Sequence, residues 1–236
     1  MISLDNITLG YKSRILLSDA DTAFPKATLT SLIGRNGTGK STLLRAIAGL
    51  NPQFTGSILL DGHDLRSLSP ARLARTLAFV STQRTRIPSM RCADAVAMGR
   101  APYTNWIGRM QKEDEEIVMR SLADVGMTDF AQRTLDTMSD GECQRVMIAR
   151  ALAQDTPIIL LDEPTSFLDM PSRYDLVDLL GRLAHEQGKC ILFSTHELDI
   201  ATERCDAVAM IDTPRLIHLP AKEFISAGYL SLIFNN

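Results

Sequence analysis

Nine consecutive residues, Gly34, Arg35, Asn36, Gly37, Thr38, Gly39, Lys40, Ser41 and Thr42, have the make-up of a loop that wraps a polyphosphate. Glycines let the backbone curl so that successive N–H groups point inward at an anion. An apolar run at 29–33 precedes the loop, and Leu43, Leu44, Ile47 and Ala48 follow at helical spacing. The loop therefore joins a buried strand to a helix whose positive dipole end opens onto it. In that setting Lys40 reaches the outer phosphates of a nucleotide and the Ser41 hydroxyl ligates magnesium. A glycine-rich turn that matches by chance is the bland alternative, and the strand-to-helix setting weighs against it.

A second group of chemistry-bearing residues stands at the ends of other apolar runs. Residues 158–161 lead into Asp162, Glu163 and Pro164, so two adjacent carboxylates leave a buried strand toward different sides. Asp162 suits the magnesium shell, and Glu163 suits the proton of an attacking water. Acidic strand ends occur in many α/β proteins, and it is the phosphate loop upstream that gives this pair a catalytic reading. His196 follows the run 190–194 and Thr195, at the same sheet edge, whereas His63, His185 and His218 read as surface or packing residues. Gln83 lies just past the run 77–80 and can bridge magnesium and the water, an ordinary polar turn residue being its alternative.

The elements that must position these groups follow from the apolar pattern. Loose alternation at 2–9 predicts a half-buried strand before a turn at Gly10 and Tyr11, with a second strand piece at 15–17. The helix after the phosphate loop closes at Gly49, and a strand at 56–60 ends at Asp61 and Gly62. Ser69 and Pro70 open a helix reaching Thr76, and a buried strand follows at 77–80. From 84 to 110 the chain is irregular and rich in Arg and Pro. Helices are predicted at 112–125, ended by Gly126, and at 139–153, where Ser139 and Glu142 form a capping box. Strands at 158–161, 190–193 and 207–211 alternate with helices near 171–187 and 197–204, and a closing helix spans 221–234. Such alternation means a parallel sheet with the phosphate site at its carboxyl ends.

Composition bounds the reading. A chain of 236 residues supports a well-buried core, and 45% hydrophobic with 22% charged residues is ordinary for a globular protein. A net charge of −3 argues against a broad nucleic-acid-binding surface. No apolar run approaches the roughly 18 residues that span a bilayer, and residues 1–20 do not read as a signal peptide, so a cytosolic protein is expected. Cys92, Cys143, Cys190 and Cys205 form no C-x-x-C pair, which leaves reduced, buried thiols as the expectation.

Together these residues resemble the ATP-binding-cassette (ABC) ATPases over nearly the whole chain. The matching segments come in the family's order: the P-loop at 34–42, the Gln83 loop, and Met138, Ser139, Asp140, Gly141 and Glu142 as the signature. Residues 158–163 match Walker B, Ser166, Phe167, Leu168 and Asp169 the D-loop, and His196 the switch histidine. The resemblance implies an α/β P-loop NTPase with a RecA-like core of mostly parallel sheet. The core would span 1–83 and 154–236, with a small N-terminal antiparallel β subdomain, and an inserted α-helical lobe would cover 84–153. It implies ATP and magnesium as ligands, with Tyr11 stacked on adenine, Gly34, Asn36, Gly37, Gly39, Lys40, Ser41 and Thr42 around the phosphates, and Ser41, Gln83 and Asp162 at the metal. Glu163, His196, Gln83 and Lys40 would carry catalysis.

The resemblance further implies a second copy of the chain packed head to tail, so that each ATP lies between one P-loop and the partner's Ser139, Gly141 and Asp169. Met138, Asp140 and Glu142 depart from the usual Leu-Ser-Gly-Gly-Gln. Asp140 brings an anion near a phosphate, which costs affinity unless it turns away or meets a cation such as Arg145. The stretch Met98, Gly99, Arg100, Ala101, Pro102 and Tyr103, followed by Trp106, Ile107, Gly108 and Arg109, looks like the Gly-Arg-x-Pro stretch of importer ATPases for iron-siderophores, haem and cobalamin. That implies a peripheral subunit on the cytoplasmic face of the inner membrane. It would dock through residues 83–109 on a polytopic permease, served indirectly by a solute-binding protein, with no nucleic-acid partner. The alternative is a soluble cassette in a non-transport assembly such as iron–sulfur cluster biogenesis.

Overall fold

A computed structural model describes residues 1–11, 14–82, 87–104 and 110–229. The chain runs β1 (Ile2–Tyr11), β2 (Arg14–Phe24), β3 (Thr28–Ile33), α1 (Lys40–Ile47), β4 (Phe54–Leu60), β5 (His63–Asp64), α2 (Pro70–Thr76) and β6 (Leu77–Val80). It continues through α3 (Cys92–Ala97), α4 (Lys112–Asp124), α5 (Asp140–Ala153), β7 (Ile158–Leu161) and α6 (Met170–Gln187). It closes with β8 (Cys190–Ser194), α7 (Leu198–Glu203), β9 (Ala207–Asp212), β10 (Arg215–Pro220) and α8 (Ala221–Ser226). Strands β2-β1-β4-β5 form an antiparallel sheet, and β10-β9-β3-β8-β7-β6 a second sheet that is parallel except at its β10 edge.

Strands β6 and β7 are apolar throughout because both faces are covered, and β3 and β8 bury the small polar residues Thr30, Ser31 and Ser194 among their apolar ones. On β7, Ile158 and Leu160 join the cluster around α1 and the antiparallel sheet, while Ile159 and Leu161 join the cluster around α3, α4, α5 and α6. Strand β8 divides the same way, Leu192 to one side and Ile191 and Phe193 to the other. Register then decides the chemistry: Leu161 lies beside both Val80 and Phe193, and Leu32 beside Ser194, so the residues after these strands emerge at one edge.

Several expectations are corrected. Gly10 and Tyr11 are strand, paired with Ile15 and Arg14, and a Cβ on Gly10 would stand 2.3 Å from the Arg14 carbonyl oxygen. Strand β2 is much longer than 15–17, because pairing with β1 continues through its polar stretch to Phe24, with Ala20 and Phe24 buried. Part of the 84–110 stretch is helical, with α3 and a 3₁₀ turn over Met98–Tyr103. Strands β5 and β10 carry no buried apolar alternation, and α8 ends at Ser226. All four cysteines are buried and outside any disulfide, and burial pushes the Cys190 thiol up to about 11 and Cys205 to about 12.

Candidate functional site

The loop between β3 and α1 is shaped by glycines that no other residue can replace. Gly34 has φ +149°, and a Cβ there would stand 2.8 Å from the Ile211 carbonyl oxygen; Gly39 has φ +109° with Leu16 against it at 3.1 Å. Lys40 is buried, and its Nζ donates to the carbonyls of Gly34 (2.8 Å) and Arg35 (3.3 Å), bracing the loop from inside. Burial pushes the Lys40 ammonium down, and the Glu163 and Asp162 carboxylates pull it back up. Arg14 donates to the Gly37 carbonyl (3.1 Å), and the Tyr11 hydroxyl shares a hydrogen bond with Thr42 (3.2 Å). A cleft of about 250 Å³ opens here, lined by Tyr11, Arg14, Asn36, Gly37, Gly39, Lys40, Ser41, Thr42 and Glu163.

Beneath the cleft runs a chain of polar contacts. Asp162 is 1% exposed, and its Oδ1 accepts from the hydroxyls of Ser41 (2.9 Å) and Ser194 (2.8 Å). The Ser194 oxygen in turn accepts from the Glu163 N–H (2.9 Å), and Thr82 donates to the Asp162 carbonyl (3.1 Å). Glu163 sits in the left-handed region at φ +50°, where its carboxylate turns back to His196 and its Oε1 bonds that ring's Nε2. The structure thus gathers Lys40, Ser41, Asp162, Glu163 and His196 at one edge. Ser194 and Thr82 were not singled out from sequence; a serine ending the apolar run 190–193 was the available signal. Gln83 lies outside the described residues.

The cleft does not include Ser139, Gly141 or Asp169. Ser139 caps α5: its Oγ accepts from the Glu142 N–H (3.2 Å), while Glu142 accepts from the Ser139 N–H (2.7 Å), completing the capping box. That backbone bond holds the Glu142 carboxyl below its usual range. A Cβ on Gly141 would stand 3.0 Å from the Phe167 carbonyl oxygen, so the start of α5 rests on the 166–169 turn. Asp169 caps α6 by accepting from the Ser172 N–H (3.2 Å), and hydrogen bonds from the Ser172 hydroxyl first and its N–H second lower the Asp169 carboxyl.

Residues 17–166 match the family model described as ABC transporter. The chain belongs to the ABC transporter ATPases. It is 36% identical over 99% of its length to the achromobactin transport ATP-binding protein CbrD of Dickeya dadantii (strain 3937), covering 87% of that protein. It is 38% identical over 89% of its length to the petrobactin import ATP-binding protein FpuD of Bacillus anthracis, 77% of which is covered. Among solved structures, the dimeric post-hydrolysis state of the ATP-binding cassette MJ0796 bound to ADP and Pi matches with a TM-score of 0.82. Its identity to this chain is 27%, with 94% of this chain and 99% of that one covered.

In this ABC ATPase the Gly-Arg-x-Pro stretch has a structural task. A Cβ on Gly99 would stand 2.3 Å from the Arg150 carbonyl oxygen, so only glycine lets the turn approach α5. Arg100 is buried, donates to Asp114 (2.8 Å) and to the Ala153 carbonyl (2.9 Å), and stacks on Tyr103 (4.1 Å). Arg75 reaches across from α2 to the Pro102 carbonyl with Nε (2.9 Å) and Nη2 (2.7 Å). Residues 105–109 lie outside the described residues. Among those described, no helix is long and apolar enough to cross a membrane.

Proposed function

We propose that this chain is the ATP-hydrolysing subunit of an importer that takes up an iron chelate through a separate permease, with Glu163 as the base. The observation that carries the chemistry is the contact chain from Ser41 through Asp162 and Ser194 to Glu163 and His196 beside the phosphate loop. Lys40 and the N–H groups of 34–42 bind the outer phosphates, Tyr11 stacks on adenine, and His196 holds the Glu163 carboxylate toward the γ-phosphate side. Ser41 and Asp162 offer two hard oxygens in mutual hydrogen-bond reach, a donor set that fits magnesium, with Gln83 as a further oxygen. Bound there, magnesium would neutralise charge on the transferred phosphoryl group.

Two copies act together, each supplying Ser139, Gly141 and Asp169 to the other's nucleotide, which agrees with their absence from the cleft of a single chain. Charge supports the pairing: Arg14 and the exposed Arg35 rim the phosphate loop, while Asp140 sits at the first helical position of α5. Residues 1–83 and 154–236 act as core and 84–153 as the helical lobe, and the region 83–109 meets the permease from the cytoplasmic face of the membrane. The achromobactin transport and petrobactin import roles of the relatives favour a ferric siderophore as cargo over haem or cobalamin.

Three experiments test this. Glu163→Gln should bind ATP, lose turnover and accumulate as a dimer in size exclusion; near-native hydrolysis would remove Glu163 as the base. Labelled ferric siderophore, haem and cobalamin should be offered to a deletion strain, and tagged protein from native membranes should bring down a polytopic partner. Failure of that co-purification would favour a non-transport assembly such as iron–sulfur cluster biogenesis.

A further inference from the structure

Arg173, in the first turn of α6, reaches two segments at once. Its Nε donates to the Leu168 carbonyl (2.8 Å), and its Nη1 pairs with Glu197 Oε1. Leu168 belongs to the turn that leaves Glu163, where the Ser166 N–H and hydroxyl both donate to the Glu163 carbonyl (3.3 and 3.0 Å). Glu197 is the neighbour of His196, whose ring holds the Glu163 carboxylate. The contacts therefore close a ring that leaves Glu163 by its backbone and returns to it by its side chain. The same turn carries the Phe167 carbonyl on which Gly141 rests, so the ring also touches the start of α5.

We propose that Arg173 is a positioning residue that keeps Glu163 and His196 in register with the 166–169 turn and, through it, with the signature segment. The proposal rests on Glu163 being the base. Arginine suits the task because its planar fork sends two donors in different fixed directions, whereas a lysine ammonium is a single point on a flexible stem. Glu197 depends on it: its Oε2 is buried with no hydrogen-bond partner, and the pair is only about a quarter exposed, at 26% and 23%. Without the guanidinium, a half-buried carboxylate loses its counter-charge and must turn toward water. His196, one residue back on the chain, moves with it.

The test uses the full chain as Arg173→Ala, Arg173→Lys and Glu197→Gln, with steady-state ATPase kinetics and binding of a fluorescent ATP analogue. Arg173→Ala should lower kcat roughly 10- to 100-fold, as a small displacement of a reacting group does, with nucleotide affinity unchanged. Arg173→Lys should recover part of that loss, and low-millimolar guanidinium should recover part of it in the alanine variant. If Arg173→Ala does not fold, Arg173→Lys and Glu197→Gln must each show the kcat loss with affinity retained. Unchanged kcat in folded Arg173→Ala, or a kcat loss matched by a loss of nucleotide affinity, overturns the proposal. If Glu163→Gln abolishes turnover while Arg173→Ala does not, the positioning role alone fails; if Glu163→Gln keeps turnover, the base assignment falls and takes this role with it.

Discussion

Replacing Ser194 by alanine removes one oxygen from the centre of the site and nothing else. Ser194 is 0% exposed, and its hydroxyl donates to Asp162 Oδ1 at 2.8 Å while accepting from the Glu163 N–H at 2.9 Å. A hydrogen bond to a charged carboxylate contributes ~1.5–3 kcal/mol, and an abandoned buried N–H costs ~1–3 kcal/mol. Asp162 keeps its bond from Ser41, so the two terms do not add in full, and the net loss is about 3 kcal/mol. Unfolding entropy of ~2.1 cal/mol/K per residue gives about 0.5 kcal/mol/K for 236 residues, so the thermal midpoint should fall by about 6 °C. Turnover should fall further than stability implies, because the lost bond anchors Glu163 at its left-handed φ of +50°. Ser31→Ala is the matched control: also 0% exposed, its hydroxyl makes a long bond of 3.4 Å to the neutral Ala207 carbonyl and otherwise meets the Cys205 thiol, with no carboxylate among these partners. That variant should lose about 1 kcal/mol, or about 2 °C, with turnover intact. Differential scanning fluorimetry and an ATPase assay on both variants decide the matter. Equal midpoints and equal turnover for the two would refute the view that Ser194 couples the Asp162 carboxylate to the Glu163 backbone.

Two further predictions concern the helical segments. The Asp114 carboxyl is held below its usual range by the Gln111 N–H first and Arg100 second, so it contributes stability above the unfolded value of about 4 that is lost as pH falls through the lower folded value. Thermal midpoints of the native chain should therefore drop more steeply below about pH 4 than those of Asp114→Asn, which at neutral pH should already be about 3–5 kcal/mol weaker because it strands buried Arg100. Gly99→Ala drives a Cβ against the Arg150 carbonyl and should cost about 1–3 kcal/mol, whereas Gly181→Ala, with only Leu29 Cδ2 at 3.9 Å, should stabilise α6 by about 0.5–1 kcal/mol. Opposite shifts of the thermal midpoint are the expected pair of results.

What could be read from sequence was what depends on neighbours along the chain. Runs such as 158–161 and 190–193 are apolar because both faces are buried, and the capping box of Ser139 and Glu142 spans three residues. Asp162 and His196 stand out in the sequence because each follows such a run. What escaped depends on register and on distant partners. Ser194 meets Asp162 across 32 positions, and Arg173 meets Glu197 across 24, through contacts that no periodicity encodes. Strand β10 was missed for another reason: it lies at the sheet edge, so only its pairing with β9, and no buried alternation, makes it a strand. Helix α3 hid behind Gly99 and Pro102, which mark the 3₁₀ turn after it and not an absence of helix.

The acidic signature segment shows how local structure changes the meaning of a substitution. Glutamate at 142 in place of the usual glutamine looks like a charge added beside a phosphate. Its carboxylate instead closes the capping box on the Ser139 N–H, a task glutamate and glutamine both perform, and Arg133 stands 3.7 Å away. The helix start and the guanidinium absorb that charge, so position 142 is electrostatically quiet toward solvent. Asp140 differs, because it occupies the first helical position, where the dipole favours an anion but the capping box does not require one. Of the three departures in this segment, Met138 is core, Glu142 closes the cap, and Asp140 places an anion at the helix start.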